Sequence, residues 1–136
     1  MIIGISECDE RGVYDEAVVE RYVTYPKNTY GILWGEYQIL FLPNEPGDVE
    51  IFRKQFIGES NESPDEPNIV IEIKKNETTY IKGMYEVREF FTKKDGSKTL
   101  EIHVATKNHL GEFRIYITPE SHESFEKVFE KIFSDN

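Results

Sequence analysis

Acidic side chains are the residues of this chain with the clearest capacity for chemistry. The 136 residues contain 26 Asp and Glu against 16 Lys and Arg, a formal net charge of −10. Residues 1–20 carry six acids against one base, and residues 45–66 carry seven acids against two bases. Such a surface repels nucleic-acid phosphates and anionic lipid, and it speeds association with cationic proteins. The sequence therefore predicts a basic protein as partner, and neither nucleic acid nor a membrane; the alternative is that the charge serves only solubility.

The residues expected to contact this partner combine carboxylates from the two acidic segments with one tyrosine. Tyrosine is enriched at protein interfaces, and four tyrosines lie between residues 14 and 30. The alternative is that these tyrosines pack with their hydroxyls at the edge of the core. The candidate partner-binding residues are Asp9, Glu10, Asp15, Glu16, Tyr22, Asp48, Glu50, Glu59, Glu62, Asp65 and Glu66.

Sequence motifs for catalysis, phosphate binding or metal binding are not found. The chain has no glycine-rich phosphate loop, CxxC, HExxH or EF-hand pattern. His103, His109 and His122 are predicted to lie on a strand, in a turn and in the first turn of a helix, so a three-histidine metal site would require distant elements to converge. The acidic neighbours of Cys8 disfavour the thiolate that a nucleophile needs. We therefore predict a protein without catalytic residues, metal or cofactor.

Length and composition indicate one globular domain over residues 1–136. A single cysteine excludes an intramolecular disulfide and is typical of a reducing cytosol. No apolar run approaches the roughly 20 residues that span a bilayer, and Met1–Ile5 lacks the features of a signal peptide. A cytoplasmic location is expected.

Alternating apolar residues predict an antiparallel meander of seven or eight strands. The segment Tyr14–Tyr25 fits either a helix or a strand, and its β-branched and aromatic residues favour the strand. Gly35-Glu36 and Asp95-Gly96 predict hairpin turns, whereas Gly58–Asn68 is expected to be a surface loop. The other predicted strands are Ile32–Trp34, Tyr37–Leu42, Val49–Ile57, Ile69–Ile73, Thr78–Lys82, Tyr85–Lys93, Leu100–Val104 and Phe113–Ile117.

The end of the chain has the pattern of an amphipathic helix. Thr118 is a suitable N-cap, and Pro119 is a suitable first residue because its missing N–H costs nothing there. One apolar stripe follows at helical spacing, made of Phe125, Val128, Phe129, Ile132 and Phe133. This stripe must be covered, most simply by the sheet. The predicted fold class is α+β: an antiparallel sheet or partly closed barrel that is closed by a C-terminal helix.

This order of elements, from Tyr30 to Phe133, resembles the pleckstrin-homology-type barrels, in which a strand meander ends in one amphipathic helix. The resemblance implies a fold and no site residues. The tryptophan that the family usually has in its closing helix has no counterpart, since the only tryptophan is Trp34. The acidic charge balance also opposes the phosphoinositide binding of many such domains.

A small, acidic, single-domain chain without active-site motifs resembles the bacterial immunity proteins. Those proteins sit on toxin nuclease domains, where they plug the active site or cover an exosite. The resemblance lies in the overall profile and implies neutralisation of a cognate toxin. Three alternatives stay open: a phage-type inhibitor that mimics nucleic acid, a small ligand-binding or enzymatic β-barrel, and an oligomerising domain that uses exposed strand edges.

Overall fold

Nine strands form one antiparallel sheet in the part of the chain that the structure describes. The structure is a computed structural model that describes residues 1–7, 14–19, 21–23, 28–58, 66–106 and 112–134. The strands lie in the order β2-β1-β9-β8-β7-β6-β5-β4-β3. They are β1 (Ile2–Glu7), β2 (Tyr14–Val18), β3 (Arg21–Val23), β4 (Tyr30–Trp34), β5 (Tyr37–Pro43), β6 (Ile69–Lys75), β7 (Thr78–Thr92), β8 (Lys98–Thr106) and β9 (Glu112–Thr118).

The two edges of this sheet are consecutive in the chain. β2 is one edge and β3 is the other, yet Val18 and Arg21 are joined by three residue steps, which span about 11 Å at most. A flat sheet of nine strands would be about 38 Å wide. The sheet is therefore curled into a half-barrel, and its two edges approach each other at a seam, the junction of β2 with β3. Every neighbouring pair in the strand order is antiparallel, so β2 and β3 run in the same direction and β3 continues the path of β2 instead of lying beside it. The N–H of Val19 donates to the carbonyl oxygen of Met1 over 3.0 Å, which extends the pairing of β2 with β1.

Two helices, α1 (Pro46–Ile57) and α2 (Phe125–Ile132), fill the inside of the curl. The inward side chains of the central strands, such as Ile39, Ile71 and Ile102, have no exposed area. Phe52 of α1 lies at the centre of the aromatic packing. Its ring centroid lies 4.9–6.4 Å from those of Phe41, Phe56, Tyr85, Phe129 and Phe133. This packing confirms the predicted α+β class with an amphipathic helix at the end.

The predicted strand Val49–Ile57 is wrong, because this segment belongs to α1. Val49, Phe52 and Phe56 recur at i, i+3 and i+7, a helical spacing that also fits alternation on two strand faces. Pro46 begins the helix, where its fixed φ suits the first turn. Gly58 ends it at a φ of 79°, in the left-handed region. The chain from Tyr30 to Phe133 thus contains a helix that interrupts the meander on which the pleckstrin-homology resemblance rested.

The predicted start of the last helix is also wrong. Thr118 belongs to β9, and its hydroxyl lies 2.8 Å from that of Thr99. The helix begins at Phe125 instead, after Ser124, whose Oγ accepts a hydrogen bond from the N–H of Lys127. The apolar stripe itself is confirmed: Phe125 is partly buried, and the buried members are Val128, Phe129, Ile132 and Phe133.

The remaining strand predictions agree with the structure except at β7. Thr78–Lys82 and Tyr85–Lys93 were expected as two strands, but they form one long strand with a register shift between Tyr85 and Val87. The strand preference for residues 14–25 is confirmed for β2 and β3. Gly35 and Gly96 occupy their predicted turns at φ values of 58° and 89°. Within the described ranges, neither helix is long and apolar enough to cross a bilayer.

An ionic contact ties the start of β1 to α2. The Met1 ammonium lies 3.1 Å from Glu123 Oε1, and Lys131 Nζ donates to Glu123 Oε2 over 2.6 Å. Burial raises the pKa of Glu123, but the hydrogen bonds from Lys131 and from the N–H of Glu120, together with the ammonium, outweigh it and lower the pKa to about 2. This carboxylate therefore stabilises the fold in its ionised form.

We expect Glu123→Gln to lower the free energy of unfolding at neutral pH. Its difference from wild type should become smaller as the pH falls. The folded pKa of about 2 lies below the ordinary 4.5, so the stabilisation is complete above pH 4.5 and is lost as the pH falls towards 2. Urea denaturation of both proteins between these pH values measures the difference. Glu130→Gln, at an exposed residue of the same helix, is the control. Parallel pH profiles for wild type and Glu123→Gln would contradict the assignment.

Gly83 marks the closest approach of β7 to β8 among the described glycines. A Cβ built there would lie 2.2 Å from the carbonyl oxygen of Ala105, which is backbone and cannot rotate away. We expect Gly83→Ala to lower the free energy of unfolding by about 3 kcal/mol or more. The control is Gly47→Ala in α1, where a Cβ meets nothing within 4 Å, and which should leave stability unchanged or slightly higher. Equal stability of the two variants in urea denaturation would refute the contact.

Candidate functional site

Three exposed acids on α1 and the segments beside it form what we call the acidic patch: Glu45, Glu50 and Glu66. Glu45 and Glu50 lie at the N-terminal end of α1, whereas Glu66 lies two residues before Asn68 and close enough to Tyr85 to act on it electrostatically. Asp48 holds this region together: its Oδ2 accepts from the N–H of Glu45 and its Oδ1 from the N–H of Asn68, each over 2.9 Å. The second bond ties the start of α1 to the segment before β6, where Glu66 lies. Both oxygens of the Asp48 carboxylate are therefore engaged inside the fold. The structure gives this predicted partner-binding residue a structural role.

Glu50 and Glu66 differ from Asp48 because both are exposed. Within the described ranges, neither of them lies within ion-pair distance of a basic side chain. Other exposed acids do have such partners: Glu126 Oε1 lies 2.8 Å from Arg53 Nη2, and Glu36 Oε1 lies 3.6 Å from Lys75 Nζ. The acidic patch thus presents carboxylates that the fold holds in place and leaves available.

The other predicted site residues divide into two groups. Asp15 and Glu16 lie on the edge strand β2, and Tyr22 lies on the opposite edge strand β3. These strands follow one another along the chain, so Tyr22 lies beyond Asp15 and Glu16 on the same path and not beside them. The remaining candidates lie outside the described residues: Asp9, Glu10, Glu59, Glu62 and Asp65. Cys8 and His109, which were not expected to act chemically, also lie outside them.

A second group of ionisable residues lies on the outer face of the sheet, the face opposite the two helices. Leu100, Ile102 and Val104 of β8 point into the core with no exposed area. Side chains alternate along a strand, so Glu101 and His103 point outward. Glu89 of β7 lies directly opposite Glu101 in the antiparallel register. We call Glu89, Glu101 and His103 the Glu–His cluster.

The Glu–His cluster is largely withdrawn from solvent although it lies on the outer face. The exposed fractions of Glu101 and His103 are 9% and 8%. His103 Nε2 lies 2.8 Å from Glu101 Oε1, and Arg114 Nε of β9 lies 3.4 Å from the same oxygen. Two carboxylates opposite each other on paired strands repel. The guanidinium of Arg114 offsets part of this repulsion.

Apolar and aromatic side chains border the cluster. Val87 lies opposite His103 and is 48% exposed, and Phe91, two residues beyond Glu89, is 38% exposed. The ring of Phe91 contacts that of Tyr116 edge to face, with a centroid distance of 6.2 Å. Tyr116 in turn lies opposite Glu101 and is hydrogen-bonded to Ser6 Oγ. The cluster therefore sits in an apolar collar on rigid strands.

The sequence interpretation missed this cluster. His103 was expected to be an ordinary surface histidine, and it is buried instead. The predicted two-residue turn at Asp95-Gly96 would place Glu89 opposite Ile102. Glu89 faces Glu101 because the loop has three residues, 94–96, and pairs Lys93 with Ser97. The contribution of Arg114 depends on the pairing of β8 with β9. The connection between these two strands, residues 107–111, lies outside the described residues.

Comparison of the chain with protein-family models, with curated proteins and with solved structures finds no match. The chemistry of the acidic patch and of the Glu–His cluster is therefore argued from their own geometry.

We expect Asp48→Ala to lower the free energy of unfolding by about 1–2 kcal/mol, because it removes the acceptor for two backbone N–H groups. Glu50→Ala, two residues away on the same helix, should change it by less than about 0.5 kcal/mol. Urea denaturation at neutral pH measures both effects. If Glu50→Ala lowers the free energy of unfolding as much as Asp48→Ala does, Glu50 also has a structural role and the assignment is wrong.

Proposed function

We propose that this chain is a non-catalytic acidic protein that binds a basic protein partner. Within this class we propose an immunity protein of a bacterial cytoplasm that neutralises a cognate toxin nuclease domain. The observation that carries the proposal is the separation of roles at α1: Asp48 fixes the backbone, and Glu50 and Glu66 remain exposed without a basic partner in the described ranges.

Exposed carboxylates are suited to a nuclease domain because such domains hold substrate phosphates with Lys and Arg side chains. Because the backbone that carries these carboxylates is already folded, pairing with the cations costs side-chain entropy but no backbone ordering. Bound in this way, the protein would occlude the nuclease sterically and electrostatically. The excess negative charge would also steer the two proteins together and raise the association rate.

The edge strands β2 and β3 are the second contact that we propose. Asp15 and Glu16 lie on β2, and Tyr22 lies on β3, which continues the path of β2. A tyrosine among carboxylates fits a partner surface rich in Arg and Lys, with an aromatic anchor and ion pairs around it. β2 belongs to the first acidic segment of the sequence, residues 1–20. Both acidic segments therefore contribute to the proposed interface.

The partner to test is the basic protein encoded by the gene beside this one, because toxin and antidote are normally encoded together. We expect a complex that inhibits the partner's nuclease activity. Its association rate should fall as NaCl rises from about 0.05 to 0.5 M, since salt screens exposed charges. Stopped-flow kinetics and a nuclease assay measure the two effects. Failure to form a complex, or an association rate that ignores salt, would contradict the proposal.

The acidic patch is tested by the double variant Glu50→Gln/Glu66→Gln. We expect its association rate with this partner to fall about tenfold, because two steering charges are removed. The matched control is Glu86→Gln/Glu130→Gln, which removes the same charge from exposed positions on β7 and α2. Equal rates for the two double variants would mean that net charge alone, and not this patch, drives the association.

A further inference from the structure

We propose that the Glu–His cluster binds a divalent transition-metal ion of the zinc class. One donor atom from each of Glu89, Glu101 and His103 lies within 4.8 Å of the other two. Around a tetrahedral zinc, with ligand bonds of 2.0–2.2 Å, neighbouring ligand atoms are about 3.4 Å apart. Movement of at most about 1.4 Å therefore suffices to bring these atoms to the ligand spacing. Glu89 is exposed and has flexible torsions, so its side chain can supply most of this movement.

The donor set selects the kind of metal. An imidazole nitrogen with two carboxylate oxygens suits Zn²⁺, Mn²⁺ or Fe²⁺, whereas Mg²⁺ and Ca²⁺ prefer oxygen ligands alone. Three protein ligands also leave at least one coordination position for water or a further ligand. The cluster thus has the composition of an open metal site, not of a closed structural one.

The position of the donors in the fold supports the same inference. Glu101 and His103 lie two residues apart on β8, a strand paired on both sides, and both are about nine-tenths buried. Strand positions hold ligands more rigidly than loops do. The low exposure of Glu101 and His103 themselves strengthens electrostatic attraction between the Glu101 carboxylate and a cation.

Arg114 limits the affinity of this site. Its Nε lies 3.4 Å from Glu101 Oε1, so a bound cation would share this carboxylate with the guanidinium. Two carboxylates, one guanidinium and a neutral imidazole carry a net charge of about −1, less than a dication requires for neutrality. We therefore expect micromolar affinity. The metal site is separate from the proposed interface with a basic protein, because Glu50 and Glu66 are not among its ligands.

The test is a calorimetric titration of the full chain with Zn²⁺ and Mn²⁺, and with Mg²⁺ and Ca²⁺ for comparison. We expect one transition-metal ion per chain, with little binding of Mg²⁺ or Ca²⁺. Glu89→Gln should weaken the affinity for the transition metal at least about tenfold. The matched control, Glu86→Gln on the same strand, removes the same charge outside the cluster and should bind as wild type does. Because Glu86 and Glu89 are both exposed, neither variant should impair folding.

Nuclear magnetic resonance of the histidine side chains locates the metal. Addition of Zn²⁺ should shift the ring nitrogen resonances of His103 in wild type and in Glu86→Gln, but not at the same concentration in Glu89→Gln. The absence of transition-metal binding would overturn the proposal. Binding that Glu89→Gln leaves unchanged, or that shifts only His109 or His122, would overturn it as well, because the metal would then lie elsewhere. None of these results bears on binding of the basic partner.

Discussion

The short connection between the two edge strands is the constraint on which the rest of the structure depends. Because β2 and β3 are consecutive in the chain and lie at opposite ends of the strand order, the sheet must curl until its edges meet. Curling creates an inside that only apolar side chains can fill, and α1 and α2 fill it around Phe52. Polar groups that do not pair within this core must lie on the outer face, at the seam or at the helix ends. These are the three places where candidate chemistry is found.

The outer face of the sheet is subject to a second physical requirement. Polar side chains that are buried there need partners, since an unpartnered buried polar group costs free energy. Thr99 and Thr118 meet this requirement with each other. Glu101 lies within ion-pair distance of His103 and Arg114, and the carboxylate of Glu89 lies opposite it. A purely structural sheet would place opposite charges or β-branched residues at such a pair. A structural role therefore does not explain why two glutamates, Glu89 and Glu101, lie opposite each other.

Local signals in the sequence predicted the local structure. The turns at Gly35 and Gly96 and the alternation in β6 and β8 were sufficient to predict the meander, because each depends on neighbouring residues. The segment Val49–Ile57 was wrongly predicted as a strand, since its apolar spacing fits both the helical and the strand period. The curl and the contact of Arg114 with Glu101 depend on strand pairings distant in sequence. Periodicity does not report such pairings.

The predicted site residues separate according to what the fold already requires of them. Asp48 is engaged by two backbone N–H groups, so stability alone accounts for a carboxylate at this position. Asp15 and Glu16 lie on an edge strand, where charge also prevents edge-to-edge aggregation. Glu50 and Glu66 serve neither purpose, because they are exposed and lie on a backbone that Asp48 holds in place. Carboxylates that do not stabilise the fold are free to bind a basic partner. Glu50 and Glu66 are therefore the residues most relevant to the proposed binding.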